Sequence, residues 1–258
     1  MPITVSAHGP HIGVVTIDNP SKANAMSRDM LAELAGIWQQ LDGDASCRAI
    51  VVTGAGSRAF TAGADVSGDL SASEETAATI NRALLKTEPF SKPIVAAVNG
   101  ACLGGGIELL LAADIRYAAP HAIFGLPEVK WAIYPFGGAA AKLVHQIGHV
   151  QAMKLLLTAE HVDADEAVRI GLINEVVPAE RLIERAIATA EVIGQQPDGG
   201  AGGEAVRLHR YRRAGAGPGA VRAVPRRCST CQLRLHRGGR RLPGATPAEL
   251  RTDLEGRR

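Results

Sequence analysis

Asn99-Gly-Ala-Cys-Leu-Gly-Gly-Gly-Ile-Glu108 and, twenty positions beyond its glutamate, Phe124-Gly-Leu-Pro-Glu128 are the segments of this chain best fitted to chemistry. The first sets a carboxylate just inside a helix that opens on a glycine turn, and the second sets another on a separate loop. Upstream, Ala59-Phe-Thr-Ala-Gly-Ala-Asp65 is a small-residue turn able to present a bare backbone N–H. Glycine lets the backbone approach a ligand without a side chain in the way, and the first amides of a helix lack internal partners at the positive end of its dipole. Amides at Ala64 and Gly105 therefore offer two donors to an oxygen gaining negative charge, each typically worth about 3–4 kcal/mol of barrier. Two carboxylates near one water can divide the work of base and acid when their surroundings separate their pKa values. Together these parts would polarise a carbonyl and move a proton beside it. Singly, each has a plainer reading: Glu108 as a dipole partner, Glu128 as a loop glutamate, Asp65 as a helix cap. Only the combination is specific.

Short strands alternating with helices must position these groups. Ile12–Ile17 is rich in β-branched residues and reads as an early strand. Ser27 can cap a helix whose apolar positions Met30, Leu31, Leu34, Ile37, Trp38 and Leu41 follow helical spacing. Ala49–Thr53 and Ile94–Val98 are continuous apolar runs, as expected of strands buried on both faces. Ser71 with Glu74 fits a capping box opening a helix that carries Ile80, Leu84 and Leu85. The helix after Gly105 is expected to end near Ala113, followed by a strand over Asp114–Ala118. Gly137-Gly138 starts a helix through Ile147, and another runs from about Val150 to Leu157. Asp163 with Glu166 makes a second capping box, and Gly171 stops that helix. Leu172–Val177 is strand-like, Pro178 breaks it, and a last helix runs to about Ile193. The pattern predicts an α/β domain.

Composition narrows the class. The chain has 258 residues, 46% of them hydrophobic but only 3% aromatic, so its core must rest on Ala, Val, Leu and Ile. No apolar run approaches the roughly 20 residues of a membrane span, and the N-terminus lacks the pattern of a secretory signal. Cys47 and Cys102 are isolated, which favours reduced thiols and a cytoplasmic protein. The net charge of +2 conceals a split. Residues 1–198 carry 14 Lys+Arg against 22 Asp+Glu; residues 199–258 carry 14 Arg, no Lys and four acids. Past Pro197 the runs Gly199–Gly203, Gly215–Gly219 and Gly238–Arg241 show neither helix nor strand period, and this Arg/Gly/Pro-rich tail should be poorly ordered unless something holds it.

Six stretches up to residue 195 resemble the enoyl-CoA hydratase/isomerase (crotonase) family in order and spacing. They are Asp18-Asn-Pro-Ser-Lys-Ala-Asn-Ala25, Ala59–Val66, Lys92–Gly100, Gly104-Gly-Gly-Ile-Glu-Leu109, Phe124–Glu128 and Ala167-Val-Arg-Ile-Gly-Leu-Ile173. The resemblance implies a crotonase-like spiral of repeated ββα units over residues 1–198, an acyl-CoA thioester substrate, and a homotrimer or dimer of trimers. By position, the Ala64 and Gly105 amides would form the oxyanion hole, Glu108 would activate water for attack at C3, and Glu128 would protonate C2. Having both glutamates favours hydration of a 2-enoyl-CoA in fatty-acid or related acyl-CoA metabolism. Isomerase or hydrolase chemistry, or acyl-CoA binding without turnover, stays open. Lys22 and Ala23, with Ala62, Gly63, Ala64 and Asp65, would border the CoA moiety. The family pattern needs no metal and no cofactor beyond the CoA of its substrate. Two departures stand out. Pro135-Phe-Gly-Gly138 replaces a Pro-Gly-x-Gly-Gly-like turn, so Phe136 would reshape the acyl pocket. Residues 199–258 do not resemble the family's closing helices, as though a GC-rich gene were read in a shifted frame from near Gln196–Gly200.

Other functions fit less well. The tail's arginines with Cys228, Cys231 and His236 invite a nucleic-acid or zinc reading, but there is no second Cys-x-x-Cys and only Tyr211 for base stacking. No specific nucleic-acid partner and no membrane are expected. Thr53-Gly-Ala-Gly56 imitates a dinucleotide fingerprint, yet Ser57–Phe60 does not open an apolar helix.

Overall fold

Apolar runs too short for helices fall into two sheets, and the chain alternates between them. A computed structural model describes residues 2–65, 74–86, 90–135 and 137–196. Phe136, the Ser71 cap and the Arg-rich tail lie outside the described residues. The elements are β1 (Ile3–His8), β2 (Ile12–Ile17), α1 (Arg28–Gly43), β3 (Ala49–Gly54), β4 (Ala59–Thr61), α2 (Glu74–Ala83), β5 (Ile94–Val98), β6 (Ala101–Leu103), α3 (Gly105–Leu110), β7 (Ile115–Ala118), β8 (Ile123–Gly125), α4 (Ala139–Ile147), α5 (His149–Thr158), β9 (His161–Asp163), α6 (Ala164–Arg169), β10 (Glu175–Val176) and α7 (Leu182–Gly194). Short 3-10 turns cover Pro20–Lys22, Pro127–Trp131 and Ala179–Arg181.

The larger sheet has the order β1-β2-β3-β5-β7-β10 and the smaller one β4-β6-β8-β9. Strands β2, β3, β5, β7 and β10 pair in parallel, as do β4, β6 and β8. In each of the pairs β3/β4, β5/β6 and β7/β8 the first strand joins the large sheet and the second the small one, and a helical segment follows. That is the expected spiral of ββα units. Each return places the end of a small-sheet strand beside the end of the previous one, and the site is built there.

The inner strands β2, β3 and β5 of the large sheet are buried on both faces, which is why they read as unbroken apolar runs. Ile50 and Val52, with Ile94, Ala96 and Val98, face the main core with Leu34 and Trp38 of α1. Val51, Val95 and Ala97 point the other way, onto Leu182, Ala186 and Ala190 of α7. The alanines four apart on α7 let its backbone lie close to the sheet. Leu34 is fully buried, so Leu34→Ala should cost about 2–5 kcal/mol. The Ser27 side chain accepts from the Met30 amide at 3.2 Å, the expected cap of α1.

The structure departs from the sequence reading in several places. Strand β1 was not anticipated, although Ile3, Val5 and Ala7 alternate with Thr4, Ser6 and His8; five of its six residues are exposed. Ala59–Thr61 begins the supposed turn as a buried strand, and Asp65 pairs with Lys22 at 2.8 Å. Helix α2 ends at Ala83, before Leu84 and Leu85, and α3 ends at Leu110, before Ala113. Within Leu172–Val177 only Glu175–Val176 forms a strand, because Leu172 and Ile173 turn into the main core. Asp163 caps α6 through the Glu166 amide at 2.8 Å, while the Glu166 carboxylate pairs with Arg169. No helix among the described residues is long and apolar enough to cross a membrane.

Candidate active site

Two glycines bring two strand ends into contact. Gly104, at φ +54° and ψ −120°, turns the chain from β6 into α3, and its amide donates to the Gly125 carbonyl at the end of β8 at 2.9 Å. Gly63, at φ +91°, follows β4; a Cβ there would stand 2.8 Å from both the Gly105 nitrogen and the Leu103 oxygen. A Cβ on Gly105 would stand 3.6 Å from the Ala64 nitrogen. The Ala64 and Gly105 amides are thus neighbours because no side chain separates their backbones. Among the described residues, neither donates to another backbone carbonyl. They remain available as paired donors.

The loop carrying Ala64 is held by residues that the motif reading did not assign. Asn24 is fully buried in a left-handed conformation; its Oδ1 accepts from the Asn19 amide, and its Nδ2 donates to the Ala55 and Ala59 carbonyls. Thr61 Oγ1 donates to the Asn24 carbonyl at 2.7 Å and accepts from the Gly63 amide at 3.0 Å. The Ala62 amide donates to the Ala23 carbonyl, and Lys22 Nζ reaches Asp65 at 2.8 Å. Lys22, Ala23, Ala62, Gly63 and Asp65 therefore form one continuous edge beside the paired amides. An Asn in the Pro-bearing Asp18–Ala25 turn was the available clue to Asn24, since Asn tolerates left-handed backbone.

Glu108 sits on α3 with 4% of its surface exposed. The Ala139 amide, first in α4, donates to its Oε1 at 3.2 Å. Gly137 packs against the same carboxyl group: a Cβ there would stand 2.6 Å from Glu108 Cδ and Oε2. Burial pushes the Glu108 pKa up to about 7; the Ala139 amide opposes the rise, the Glu128 charge adds to it, and Lys142 and Lys86 oppose it. Glu128 occupies the Pro127–Trp131 turn. Its Oε1 would lie 3.1 Å from a Cβ on Gly104, while its Oε2 is buried with no hydrogen-bond partner among the described residues. Burial raises its pKa as well. Such an orphaned oxygen costs about 1–3 kcal/mol, and a ligand polar group would recover part of that.

Ala64, Gly105, Glu108 and Glu128 line one cavity of about 240 Å³, together with Ala62 and the apolar side chains of Leu31, Ile80, Leu84 and Ile133. The four residues expected to act together do share a site. Trp131 and Tyr134 also line it, although 71% and 60% exposed. They were missed; two aromatics just past Glu128, in a chain with 3% aromatics, were the signal. The arrangement can hold an oxygen between two amides, accept an apolar chain, and present two carboxyl groups of raised proton affinity.

Comparison with known proteins agrees with this geometry. Residues 8–200 match the family model described as enoyl-CoA hydratase/isomerase. The short-chain-enoyl-CoA hydratase of Clostridium acetobutylicum is 39% identical over 186 residues, which cover 70% of this chain and 71% of that protein. The crystal structure of an enoyl-CoA hydratase from Bacillus anthracis superposes with a TM-score of 0.74 at 36% identity, covering 81% of each chain. A monofunctional enoyl-CoA isomerase from M. smegmatis superposes with a TM-score of 0.67 at 30% identity, covering 81% of this chain and 90% of that one. Sequence, two-sheet spiral and cavity point the same way, and the chain belongs to the enoyl-CoA hydratase/isomerase family.

Proposed function

We propose that the protein adds water across the C2=C3 bond of a 2-enoyl-CoA thioester. The observation that carries this reading is that buried Glu108 and half-buried Glu128 line one apolar cavity with two backbone donors. The thioester oxygen binds the Ala64 and Gly105 amides, which stabilise it as it gains charge. Glu108, with a pKa of about 7, takes a proton from water as the water oxygen bonds to C3. The alkene electron pair moves toward C2 and the carbonyl. Glu128, its proton affinity raised by burial, supplies the proton that completes C2–H. Passage of the proton from Glu108 to Glu128 restores the starting state. Burial raises the proton affinity of both carboxyl groups, and the Glu128 charge further disfavours the Glu108 carboxylate, which suits this division.

The CoA moiety runs along Lys22, Ala23 and Ala62–Asp65, and the acyl chain along Leu84 and Ile133. No cofactor is required beyond the CoA of the substrate. Assembly as a trimer or dimer of trimers, a cytoplasmic location and a place in acyl-CoA metabolism belong to the same reading. Residues 1–198 form the catalytic core, and the tail arises from a frame shift near Gln196–Gly200. The family match ending at residue 200 supports that origin; an intact reading frame on resequencing would exclude it.

Loss of enoyl absorbance from crotonyl-CoA tests the reaction. Turnover should vanish in Glu108→Gln and in Glu128→Gln. Similarity to the M. smegmatis isomerase supports a second reading, transfer of the double bond. A 3-enoyl-CoA gaining conjugated absorbance while crotonyl-CoA stays unchanged would favour it. Binding of crotonyl-CoA with neither change would refute both.

A further inference from the structure

Lys142 is buried, only 5% exposed, in the first turn of α4. A buried ammonium needs acceptors, and its neighbours show which ones it serves. Lys142 Nζ donates to the Leu85 carbonyl at 3.1 Å. Leu85 closes α2 at φ +48°, with its amide donating to Arg82 and the next amide, Lys86, donating to Asn81. This is the hydrogen-bond pattern of a left-handed helix stop, a place where glycine is usual and leucine is strained. The Lys142 ammonium therefore grips a strained turn. Leu84, in the same turn, lines the cavity and would lie 2.6 Å from a Cβ on Gly137. Across α4, the Ala139 amide holds Glu108, one turn of helix from Lys142.

We propose that Lys142 is a positioning residue of this site: clamped on the Leu85 carbonyl, it fixes the α4 turn that holds Glu108 against the α2 end that walls the cavity, and sets a buried positive charge facing Glu108. The assignment rests on Glu108 acting as the base in the proposed hydration. The charged groups facing Glu108 are Glu128 from the Pro127–Trp131 turn, Lys142 from α4 and Lys86 from the turn after α2. Glu128 disfavours the Glu108 carboxylate, and the two lysines favour it. In return, the Glu108 charge opposes burial, which together with the Arg116 and Lys86 charges draws the Lys142 pKa down to about 8. Nothing else in the mechanism explains a lysine buried here.

The test uses the full chain and two readouts. Glutamate carboxyl groups are labelled with carbon-13, the Glu108 signal is assigned with Glu108→Gln, and its titration is followed without substrate. In Lys142→Met the Glu108 midpoint should rise, and Lys142→Arg should return it toward the wild-type position. With crotonyl-CoA, Lys142→Met should lower kcat at pH 7 about five-fold or more and move the acidic limb of the rate profile upward, with KM changed less than about two-fold. If Lys142→Met is too unstable to titrate, adding Leu85→Gly relieves the left-handed strain without a further change of charge, and the midpoint of Lys142→Met/Leu85→Gly is read against that of Leu85→Gly alone. A Glu108 midpoint unmoved by loss of the lysine, in either folded variant, overturns the proposal. Wild-type protein that fails to turn over crotonyl-CoA counts against the hydratase reading, and the substrate-free titration still decides the role of Lys142.

Discussion

Replacing Glu108 by glutamine should stabilise the protein while abolishing its activity. The Glu108 pKa is raised from 4.5 to about 7, chiefly by burial. A carboxyl group that ionises later in the folded state contributes stability below pH 4.5, and that contribution is lost as pH rises through 7. At about 1.4 kcal/mol per pKa unit, the loss approaches 3 kcal/mol by pH 8. Glutamine keeps the shape and the acceptor for the Ala139 amide but has no charge to desolvate. Part of the gain is offset, because Lys142 loses the negative charge facing it. The expected net advantage of Glu108→Gln is about 2 kcal/mol at pH 8 and far less at pH 5. For a chain of this size that is a rise in Tm of roughly 4–8 °C at pH 8. Thermal or urea unfolding of both proteins at the two pH values measures it. Equal differences at both pH values, or a variant less stable at pH 8, would refute the argument that Glu108 is held against its hydration.

Gly63→Ala would push a methyl group into the Gly105 nitrogen and strain a backbone at φ +91°. It should lower kcat by about 10²–10³-fold by parting the two amides, as crotonyl-CoA turnover would show. Gly137→Ala places a Cβ on the Glu108 carboxyl and on Leu84; a loss of kcat larger than any rise in KM for crotonyl-CoA should mark displacement of the base. The Lys22–Asp65 pair has Lys22 more than half exposed, so Lys22→Met should change stability by less than about 1 kcal/mol in a urea titration. The same variant should raise KM for crotonyl-CoA more than KM for crotonyl-pantetheine, if Lys22 serves the nucleotide end.

The sequence disclosed those parts of the molecule whose physics is periodic or local. Ala49–Thr53 and Ile94–Val98 announced buried strands because both of their faces are covered, one by the main core and the other by α7. Ser27 announced a helix start because its hydroxyl has one nearby amide to serve. The small sheet stayed hidden for the opposite reason: β4, β6, β8 and β9 have three residues each, fewer than any alternation needs to show itself. Yet the ends of those same strands make the site. Glu108, Glu128, Ala64 and Gly105 were found through glycine spacing and family resemblance, while the scaffold beneath them was not.

Asn24, Thr61 and Lys142 show why that scaffold escaped. Each is a polar side chain in a segment where polarity ordinarily signals solvent, and each is buried against a partner 35 or more positions away in the chain: Ala59 for Asn24, Asn24 for Thr61, Leu85 for Lys142. A lysine on an amphipathic helix reads as its wet face. It becomes part of the interior only when the crossing of two sheets brings a strained carbonyl and a buried carboxylate to the same helix turn. The cavity chemistry is therefore encoded twice, locally in the residues that would touch substrate and non-locally in those that hold them. Substitutions of the second group should change pH dependence and stability together, a coupling that no single motif displays.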